Sequence, residues 1–344
     1  MSSTGTSSAA RAMPADARAD APPSVSVAIP TFRRLALLKR AVESALAQDH
    51  PDLQVIVSDN ASGDGTAEWL RSLDDPRLTV LTGDVNVGMV GNWDACLRAA
   101  RGECFVLLSD DDALRGPDAL ASLARALCAD DSIGVAFCDV TMERVGPDGE
   151  RLEDTRGARD AYRAAEAIVD FFENRLSIFP CATMLRTDDL RALGGYGAFG
   201  VRLAADACAW IAVACRRGRI ARVPRPLALY RVHASLSSSS VETWSHDLDV
   251  LRALFERESE GRLSAAERDA VRRAMREAWH RTPLGYVGRR WRDDPDYGWG
   301  ALAADLLRWR RRLLVPSNLR FVAGRLARRI SRGAPSGGPG SQPR

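Results

Sequence analysis

Residues 104–112 read Cys-Phe-Val-Leu-Leu-Ser-Asp-Asp-Asp, and this stretch decides how the first half of the chain folds. Its first five residues are apolar without interruption, which is typical of a strand buried on both faces of a parallel sheet. Shorter apolar runs come before it, separated by segments with helical spacing: 25–29, 53–57 and 78–81. Strand and helix therefore alternate four times. This pattern predicts an α/β fold with a Rossmann-like, mainly parallel sheet and helices on both faces.

Three adjacent carboxylates, Asp110, Asp111 and Asp112, directly follow this strand and its serine. In open α/β sheets the working residues gather at the carboxyl ends of the strands. Like charges this close repel one another, and a divalent cation such as Mg²⁺ or Mn²⁺ removes the repulsion because it prefers oxygen ligands. A second interpretation stays open, in which the run is a solvated acidic turn that caps a helix beginning near Pro117.

Three further groups are candidates for a site. Asp59 ends the second strand, where it can accept an N–H from a nucleobase or serve as an ordinary turn residue. Asp206 precedes an apolar helix that ends with two arginines, so it is either a helix cap or a general base for a substrate hydroxyl. Arg231 and His233 come before a serine-rich run, where a forked guanidinium and an imidazole suit a phosphate or a metal.

Charge is distributed unevenly along the chain. The 344 residues carry 48 basic and 45 acidic side chains, a net charge of +3. From residue 301 onward there are ten arginines and one acidic residue, so this segment carries +9 and the rest of the chain −6. We expect a disordered leader over 1–23, a catalytic domain over 24–240, a helical Arg-rich extension over 241–332 and a disordered tail over 333–344.

The Arg-rich extension contains a segment that would be amphipathic as a helix. Its apolar residues share one face and its arginines cluster elsewhere: Leu319, Val322, Leu326 and Ile330 against Arg320, Arg325, Arg328, Arg329 and Arg332. Such a helix can lie on an anionic membrane surface. Alternatively its apolar face packs on the domain and the arginines are merely solvated. We expect a cytoplasmic protein, with peripheral contact at the inner face of the membrane as the open alternative.

Missing patterns exclude several classes of protein. No run approaches the roughly 20 apolar residues that a membrane-spanning helix needs, and the first 24 residues lack the apolar centre of a secretory signal. The seven cysteines form no CxxC pair, which argues against a zinc site or a disulfide framework. The motifs of dinucleotide-binding, P-loop, serine-hydrolase and zinc-protease sites are absent. An acidic body without a basic aromatic platform argues against nucleic acid as a partner.

Taken in order, the short motifs of residues 24–240 resemble those of the family 2 glycosyltransferases with the GT-A fold. The matching residues are Val27-Ala28-Ile29-Pro30-Thr31-Phe32 with Arg34, then 57–66, Asn86-Val87-Gly88, Asn92, 100–103, 107–112, Met184-Leu185-Arg186, Gly194-Gly195-Tyr196, Asp206 and Tyr230-Arg231-Val232-His233. Each motif is short, and the resemblance is specific because so many of them follow in the family's order.

The resemblance implies a role for each candidate residue. Contacts to the nucleotide would come from seven residues: Pro30, Thr31, Arg34, Asp59, Asn86, Asp110 and Arg231. A Mn²⁺ or Mg²⁺ ion on the diphosphate would be held by Asp111, Asp112 and His233. Asp206 would be the base that deprotonates the acceptor hydroxyl. The chain departs from the family pattern at three positions, where it has Arg33 for Asn, Asn60 for Asp and Ala205 for Glu.

The implied reaction is an inverting transfer of a sugar from a UDP- or dTDP-sugar to a hydroxyl of a glycan, lipid-linked or small-molecule acceptor. Because Ala205 replaces the usual Glu, Asp188 and Asp189 are alternative bases. Two other functions stay open. A sugar-1-phosphate nucleotidyltransferase has a similar nucleotide domain, although Pro30-Thr31-Phe32-Arg33 is not its glycine-rich signature. A non-catalytic scaffold that only binds nucleotide is the other, and Ala205 is its support.

Overall fold

Strands and helices alternate regularly through the first half of the chain. The computed structural model describes residues 22–146, 149–201, 203–232, 240–293, 296–316 and 318. The strands are β1 Val25–Thr31, β2 Leu53–Asp59, β3 Leu78–Thr82, β4 Cys104–Leu107, β5 Ala113–Leu114, β6 Ile133–Gly146, β7 Gly149–Asp154, β8 Ala161–Arg163, β9 Thr183–Arg186 and β10 Arg219–Arg231. The helices of the first 220 residues are α1 Leu35–Leu46, α2 Thr66–Arg71, α3 Gly88–Ala99, α4 Ala119–Cys128, α5 Ala164–Phe172, α6 Thr187–Ala192 and α7 Ala205–Arg217.

All of the strands described belong to one twisted sheet. Its order is β3-β2-β1-β4-β9-β6-β10-β5, with β7 beside β6 and β8 beside β10. The first four strands are parallel to one another, as the alternating pattern predicts. Strand β9 inserts antiparallel between β4 and β6, while β6 and β10 are again parallel. The mainly parallel sheet predicted from the sequence is confirmed, with β9 as an inserted antiparallel strand.

Alternate residues of the central strands face two separate apolar layers. On one side, Val27 and Ile29 of β1 pack under α1 and α4. On the other side, Ala28 packs toward α3, α5 and α7. Helix α1 forms because its buried residues recur at helical spacing on one face: Leu38, Ala41, Val42 and Ala45. The prediction of helices on both faces of the sheet is therefore confirmed.

Two long helices from the C-terminal part of the chain complete the second apolar layer. They are α8, Val241–Ser259, and α9, Ala265–Asp293, followed by the short α10, Trp299–Arg308, and α11, Arg310–Leu313. Their buried side chains join the apolar layer that contains α5 and α7: Leu251, Leu254, Phe255, Val271, Ala274 and Met275. Helix α8 begins where the sequence predicts the helical extension, and the division into domains stays a prediction.

The remaining arginine-rich segment is only partly described. Arg312 is 7% exposed, and its guanidinium lies 3.5 Å from the ring centre of Trp279. The amphipathic segment predicted at 319–332 and the predicted disordered tail at 333–344 lie outside the described residues, as does the predicted leader up to residue 21. None of the helices described is long and apolar enough to cross a membrane.

Candidate active site

The carboxyl ends of β1, β2 and β4 meet at one edge of the sheet. We call it the charged edge after its ionisable side chains: Arg34, Arg40, Asp110, Asp111, Asp112, Glu143 and Arg231. Thr31 ends β1 opposite Asp59 of β2, and its Oγ1 donates a 2.8 Å hydrogen bond to Asp110 Oδ2. The parallel topology thus joins the first motif of the sequence to the acidic run after β4.

Arg34 balances part of the acidic run. Its Nη1 lies 3.2 Å from Asp110 Oδ1 and 2.7 Å from Asp111 Oδ2. Burial acts to lower the pKa of Arg34, but the charges of Asp110 and Asp111 outweigh it and the pKa is raised. The three aspartates are between 1% and 8% exposed, and α4 begins only after Asp118. The interpretation of the run as a solvated, helix-capping turn is therefore wrong.

Asp112 is the deepest member of the run and the best fitted to a cation. Its Oδ1 accepts a 2.9 Å hydrogen bond from the Arg231 amide, whereas its buried Oδ2 has no such partner in the described part of the chain. Burial, and then the charge of Asp111, raises the pKa of Asp112 to about 7, although hydrogen bonding from the Arg231 amide, Cys181 and Ser109 opposes the rise. An unpartnered buried carboxylate oxygen is what a divalent cation would satisfy.

The charged edge does not enclose a cation by itself. Within the described ranges, no three His, Cys, Asp or Glu side chains are grouped to hold a metal ion. A cation at Asp111 and Asp112 would therefore complete its shell with water and phosphate oxygens, as Mg²⁺ usually does in phosphate sites. His233, the third predicted ligand, lies outside the described residues.

Glu143 binds two arginines of the charged edge, and the sequence analysis missed it. This carboxylate on β6 is 4% exposed. It accepts hydrogen bonds from Arg40 Nη1 at 2.7 Å, Arg40 Nη2 at 3.0 Å and Arg231 Nε at 2.7 Å. The hydrogen bonds from Arg40 are the main reason that the pKa of Glu143 is lowered. The alternating polar residues Asp139, Thr141 and Glu143 in an apolar strand were the available signal.

The predicted nucleotide-binding residues near β2 form a hydrogen-bonded scaffold. Asp59 Oδ1 accepts from the Ser62 amide at 3.0 Å, so the predicted turn chemistry is present. Asn60 Oδ1 accepts from the Val87 amide at 2.9 Å, and Asn60 Nδ2 donates to Asn86 Oδ1 at 2.9 Å. Asn86 therefore fixes the loop before α3. The role of these residues in nucleotide binding, together with that of Pro30, stays a prediction.

Asp206 is not part of the charged edge and lies in a small, mainly apolar pocket. The other lining residues are Phe105, Leu107, Ile178, Pro180, Thr183, Leu185, Tyr196 and Trp210. Burial raises the pKa of Asp206 to about 6, although the amides of Ala207 and of Asp206 itself oppose the rise. Asp206 is the second residue of α7 and Ala204 holds the cap position. Asp206 therefore does not hold the cap position itself, although its carboxyl interacts with amides of the first turn, as an acidic residue at a helix start does.

The apolar pocket and the charged edge are neighbours. Tyr230, which packs on Phe179 with ring centres 4.4 Å apart, senses the carboxyl groups of both. Burial raises the pKa of Tyr230 to about 12, and the charges of Asp112 and of Asp206 both add to the rise. One aromatic side chain is therefore within electrostatic range of the acidic run and of the carboxyl in the pocket.

The Gly-Gly-Tyr motif builds one wall of the apolar pocket. Asp94 of α3 accepts hydrogen bonds from the amides of Tyr196, at 2.7 Å, and Gly197, at 2.9 Å. Gly195 has a φ of +80°, and a Cβ on it would lie 2.6 Å from Asp94 Oδ1. Only glycine fits this turn without strain. The turn presents the Tyr196 ring to the pocket, edge-on to Trp93 at 5.3 Å between ring centres.

Comparison with known proteins gives the family of this arrangement. Residues 26–192 match the model of glycosyl transferase family 2. The chain carries a family 2 glycosyltransferase domain. The resemblance drawn from the short motifs is thereby confirmed, and the matched range includes the whole acidic run.

Two named relatives each match less than two fifths of the chain. The succinoglycan biosynthesis protein ExoO of Rhizobium meliloti is 32% identical over 39% of this chain and 37% of its own length. The GalNAc(5)-diNAcBac-PP-undecaprenol beta-1,3-glucosyltransferase of Campylobacter jejuni is 36% identical over 36% of this chain and 40% of its own length. The chain thus spans about two fifths of these two relatives.

Solved structures share the fold over most of the chain. TarS of S. aureus, residues 1–349, superposes with a TM-score of 0.58 at 16% identity, covering 84% of this chain and 79% of that one. The mannosyltransferase PcManGT of Pyrobaculum calidifontis, in complex with GDP-Man and Mn²⁺, gives a TM-score of 0.54 at 20% identity, with coverage of 90% and 83%. The predicted GT-A fold with C-terminal helices is confirmed.

Asp188 and Asp189 lie far from the charged edge. They belong to α6, which follows β9, and β9 runs antiparallel to β4 with Arg186 opposite Cys104. They therefore lie near the amino end of β4, at the opposite edge of the sheet. Asp189 is also occupied by Arg217, at 2.9 and 3.0 Å. The prediction of Asp188 or Asp189 as alternative bases is wrong on this geometry.

Proposed function

We propose that this protein transfers a sugar from a nucleotide-diphosphate-sugar to an acceptor hydroxyl, in one displacement that inverts the anomeric carbon. The charged edge would bind the nucleotide, through Thr31, Arg34, Asp110 and Arg231, and Asp206 would be the general base. The observation that carries the proposal is the pairing of two adjacent sites with opposite character. One is rich in guanidinium and carboxylate groups, and the other holds a single carboxyl in an apolar pocket.

The chemistry of the transfer assigns one task to each site. The acceptor oxygen forms a bond to the anomeric carbon while the bond from that carbon to the diphosphate oxygen breaks, and the bonding electrons leave with the diphosphate. The acceptor proton passes to the Asp206 carboxylate, which must be ionised to receive it. A pKa of about 6 suits this task, since the group is ionised at neutral pH and still basic enough to take a proton.

A divalent cation fits the charged edge through Asp111 and Asp112, where it would act as a Lewis acid on the departing diphosphate. The unpartnered Asp112 Oδ2 supports this assignment. The Mn²⁺ in the PcManGT complex is a property of that protein, and it makes Mn²⁺ the first cation to test here. With all groups ionised, four carboxylates of the charged edge face three arginines, so a divalent cation would turn the local charge positive and favour a diphosphate.

For the donor we propose a UDP- or dTDP-sugar, with Asp59 and the Asn60–Asn86 scaffold at the pyrimidine. A TarS structure contains UDP-GlcNAc, which supports a uridine nucleotide as the first choice. For the acceptor we propose a glycan or a lipid-linked saccharide. The name of the Campylobacter jejuni relative includes a PP-undecaprenol-linked substrate, and another relative is a succinoglycan biosynthesis protein.

The test is a donor panel with the full chain, in which release of nucleoside diphosphate is the readout. We expect release from one donor class, loss of release with a chelator, and recovery with Mn²⁺. Asp111→Ala should abolish transfer and keep the circular dichroism spectrum, whereas Asp188→Ala, an exposed carboxylate at the other edge, should stay active. Near-wild-type activity of Asp111→Ala with Mn²⁺ present would contradict the cation assignment.

The same panel separates the alternative functions. Release of pyrophosphate from a nucleoside triphosphate and a sugar 1-phosphate would indicate a nucleotidyltransferase. Nucleotide binding without turnover of any donor would indicate a scaffold. Ala205, which favours the scaffold in the sequence, is fully buried as the first residue of α7.

The membrane contact predicted for residues 319–332 stays a prediction, because these residues lie outside the described ranges. Liposome co-sedimentation of the full chain and of a variant truncated after Asn318 tests it. Equal sedimentation of the two would contradict it.

A further inference from the structure

We propose that Asp247, on α8, is a positioning residue that holds the first turn of α7 so that Asp206 faces the apolar pocket. This inference rests on the proposed function, in which Asp206 is the general base. It makes α8 part of the catalytic machinery, although α8 lies beyond the range matched by the family model.

Helix α7 begins without a cap of its own. Its cap position is Ala204, which has no side-chain acceptor for the free amides at a helix start. Asp247 supplies an acceptor from another helix. Its Oδ2 accepts from the Leu203 amide at 2.7 Å and from the Ala204 amide at 3.1 Å. The two amides that lead into α7, three and two residues before Asp206, are thus bound by one carboxylate oxygen.

Burial of the Asp247 carboxylate is unfavourable, and packing alone gives no reason for an acidic residue at this position. The residue has no exposed surface, and among the described residues no arginine, lysine or histidine forms an ion pair with it. Its Oδ1 is also buried without a hydrogen-bond partner in the described ranges. An unpaired buried carboxylate is unfavourable, and an apolar side chain would fill the same space at a lower free energy. What Asp247 adds is the pair of hydrogen bonds to the start of α7.

The two carboxylates lie close to one shared neighbour. Cys208, one turn into α7, has its pKa raised to about 12 by burial and then by the charges of Asp206 and Asp247. Because Leu203 and Ala204 lead directly into the turn that carries Asp206, a shift of the entry into α7 would move the Asp206 carboxyl within the pocket. Displacing a reacting group by about 1 Å can lower a rate by about 10²-fold.

A second buried carboxylate on α8 offers a matched control. Glu258 is 4% exposed, and it accepts from Arg216 Nε at 2.7 Å and Arg216 Nη2 at 3.2 Å. Arg216 lies in the last turn of α7, at the end away from Asp206. Asp247 and Glu258 thus tie the same two helices together at opposite ends, and only the first tie adjoins the base.

The experiment compares Asp247→Ala, Asp247→Asn and Glu258→Ala in the full chain. We expect Asp247→Ala to lower kcat by about 10²-fold with the donor KM unchanged. Asp247→Asn should restore kcat to within about threefold of wild type, because its amide oxygen can accept the same two N–H groups. Glu258→Ala should lower the melting temperature without lowering kcat. If Asp247→Ala does not fold, Asp247→Ser is expected to show the same kcat loss, since its shorter side chain does not reach both amides.

Two results would overturn the inference. One is a kcat of Asp247→Ala equal to that of Glu258→Ala at equal stability, and the other is a failure of Asp247→Asn to restore kcat. Asp206→Asn separates this failure from failure of the proposed function. If Asp206→Asn keeps full activity, Asp206 is not the base. If Asp206→Asn is inactive while Asp247→Ala is normal, only the positioning role is wrong.

Discussion

The charged edge and the apolar pocket surround their carboxyl groups with different partners. At the charged edge, each carboxylate has a guanidinium or a backbone amide beside it, and Glu143 is shared by two arginines. In the apolar pocket Asp206 has no ion pair within the described ranges, and burial alone drives its pKa to about 6. The charged edge offers guanidinium groups, and a pair of carboxylates for a cation, to a diphosphate, whereas the isolated Asp206 carboxyl is prepared to gain and lose a proton.

The contrast predicts that the two regions fail in different ways when they are altered. Changes in the apolar pocket should lower kcat and leave donor binding intact, because they affect proton removal in the transition state. Changes at the charged edge that leave the cation ligands Asp111 and Asp112 in place should first raise the KM of the donor, since they affect a group that is bound before and during the reaction. The following predictions test this division, from the largest expected effect to the smallest.

Asp206→Asn should have the largest effect. The amide cannot accept the acceptor proton, so kcat should fall by about 10²–10⁴-fold while the donor KM changes less than twofold. Initial rates at saturating acceptor measure both constants. Asp188→Asn, an exposed carboxylate on α6 with 94% of its side chain accessible, is the control and should be normal. A rise in donor KM with unchanged kcat would mean that the pocket belongs to the donor side.

The same substitution should stabilise the protein above about pH 6. Burial raises the pKa of Asp206 from 3.8 to about 6, so ionised Asp206 destabilises the fold, on the order of 3 kcal/mol at about 1.4 kcal/mol per pKa unit. The asparagine side chain of the variant never ionises and avoids this penalty. Urea unfolding measures the free energy of unfolding of both proteins. The difference between them should grow as the pH rises from about 4 to about 6 and stay constant above about pH 7. A difference that is independent of pH would contradict burial of the charge.

The fold of the first half could be predicted from the sequence because its signals are local. Apolar runs of four or five residues alternate with helical spacing, and parallel pairing then fixes which strand ends meet. The acidic run after β4 and Asp59 after β2 therefore reach one edge without knowledge of the rest. Strand β9 escaped prediction because antiparallel insertion between β4 and β6 depends on long-range pairing, for which Thr183–Arg186 carries no local signal.

Glu143, Arg40 and Asp247 were missed for a related reason. Each acts through a partner far away in the chain: Arg40 and Glu143 are 103 residues apart, and Asp247 and Leu203 are 44 apart. A lone acidic residue on a strand or a helix has no sequence pattern that names its partner. The sequence does mark Asp206, but its two interpretations, cap or base, differ only in whether the side chain lies in a pocket.

Glu143→Gln should have an intermediate effect, restricted to the donor. The amide loses the charge that holds Arg40 and Arg231, so the donor KM should rise about tenfold, equivalent to about 1.4 kcal/mol, with little change in kcat. Glu256→Gln is a matched control, because Glu256 is likewise shared by two arginines, Arg268 at 3.1 Å and Arg272 at 2.6 Å. Both variants should lose stability, and only Glu143→Gln should change KM. An equal KM change in both variants would mean that Glu143 stabilises the fold and has no specific role in donor binding.

Asn60→Ala should have the smallest effect and should stay on the donor side of the division. It removes the acceptor of the Val87 amide and the donor to Asn86, which together fix the loop before α3. We expect a donor KM about threefold higher, an unchanged kcat, and a loss of about 1–2 kcal/mol in the free energy of unfolding. Asn60→Asp keeps the acceptor for Val87 and should fall between Asn60→Ala and wild type. A loss of kcat at constant KM would instead mean that this loop affects the Asp206 pocket. The predicted division between KM effects at the charged edge and kcat effects in the pocket would then be wrong.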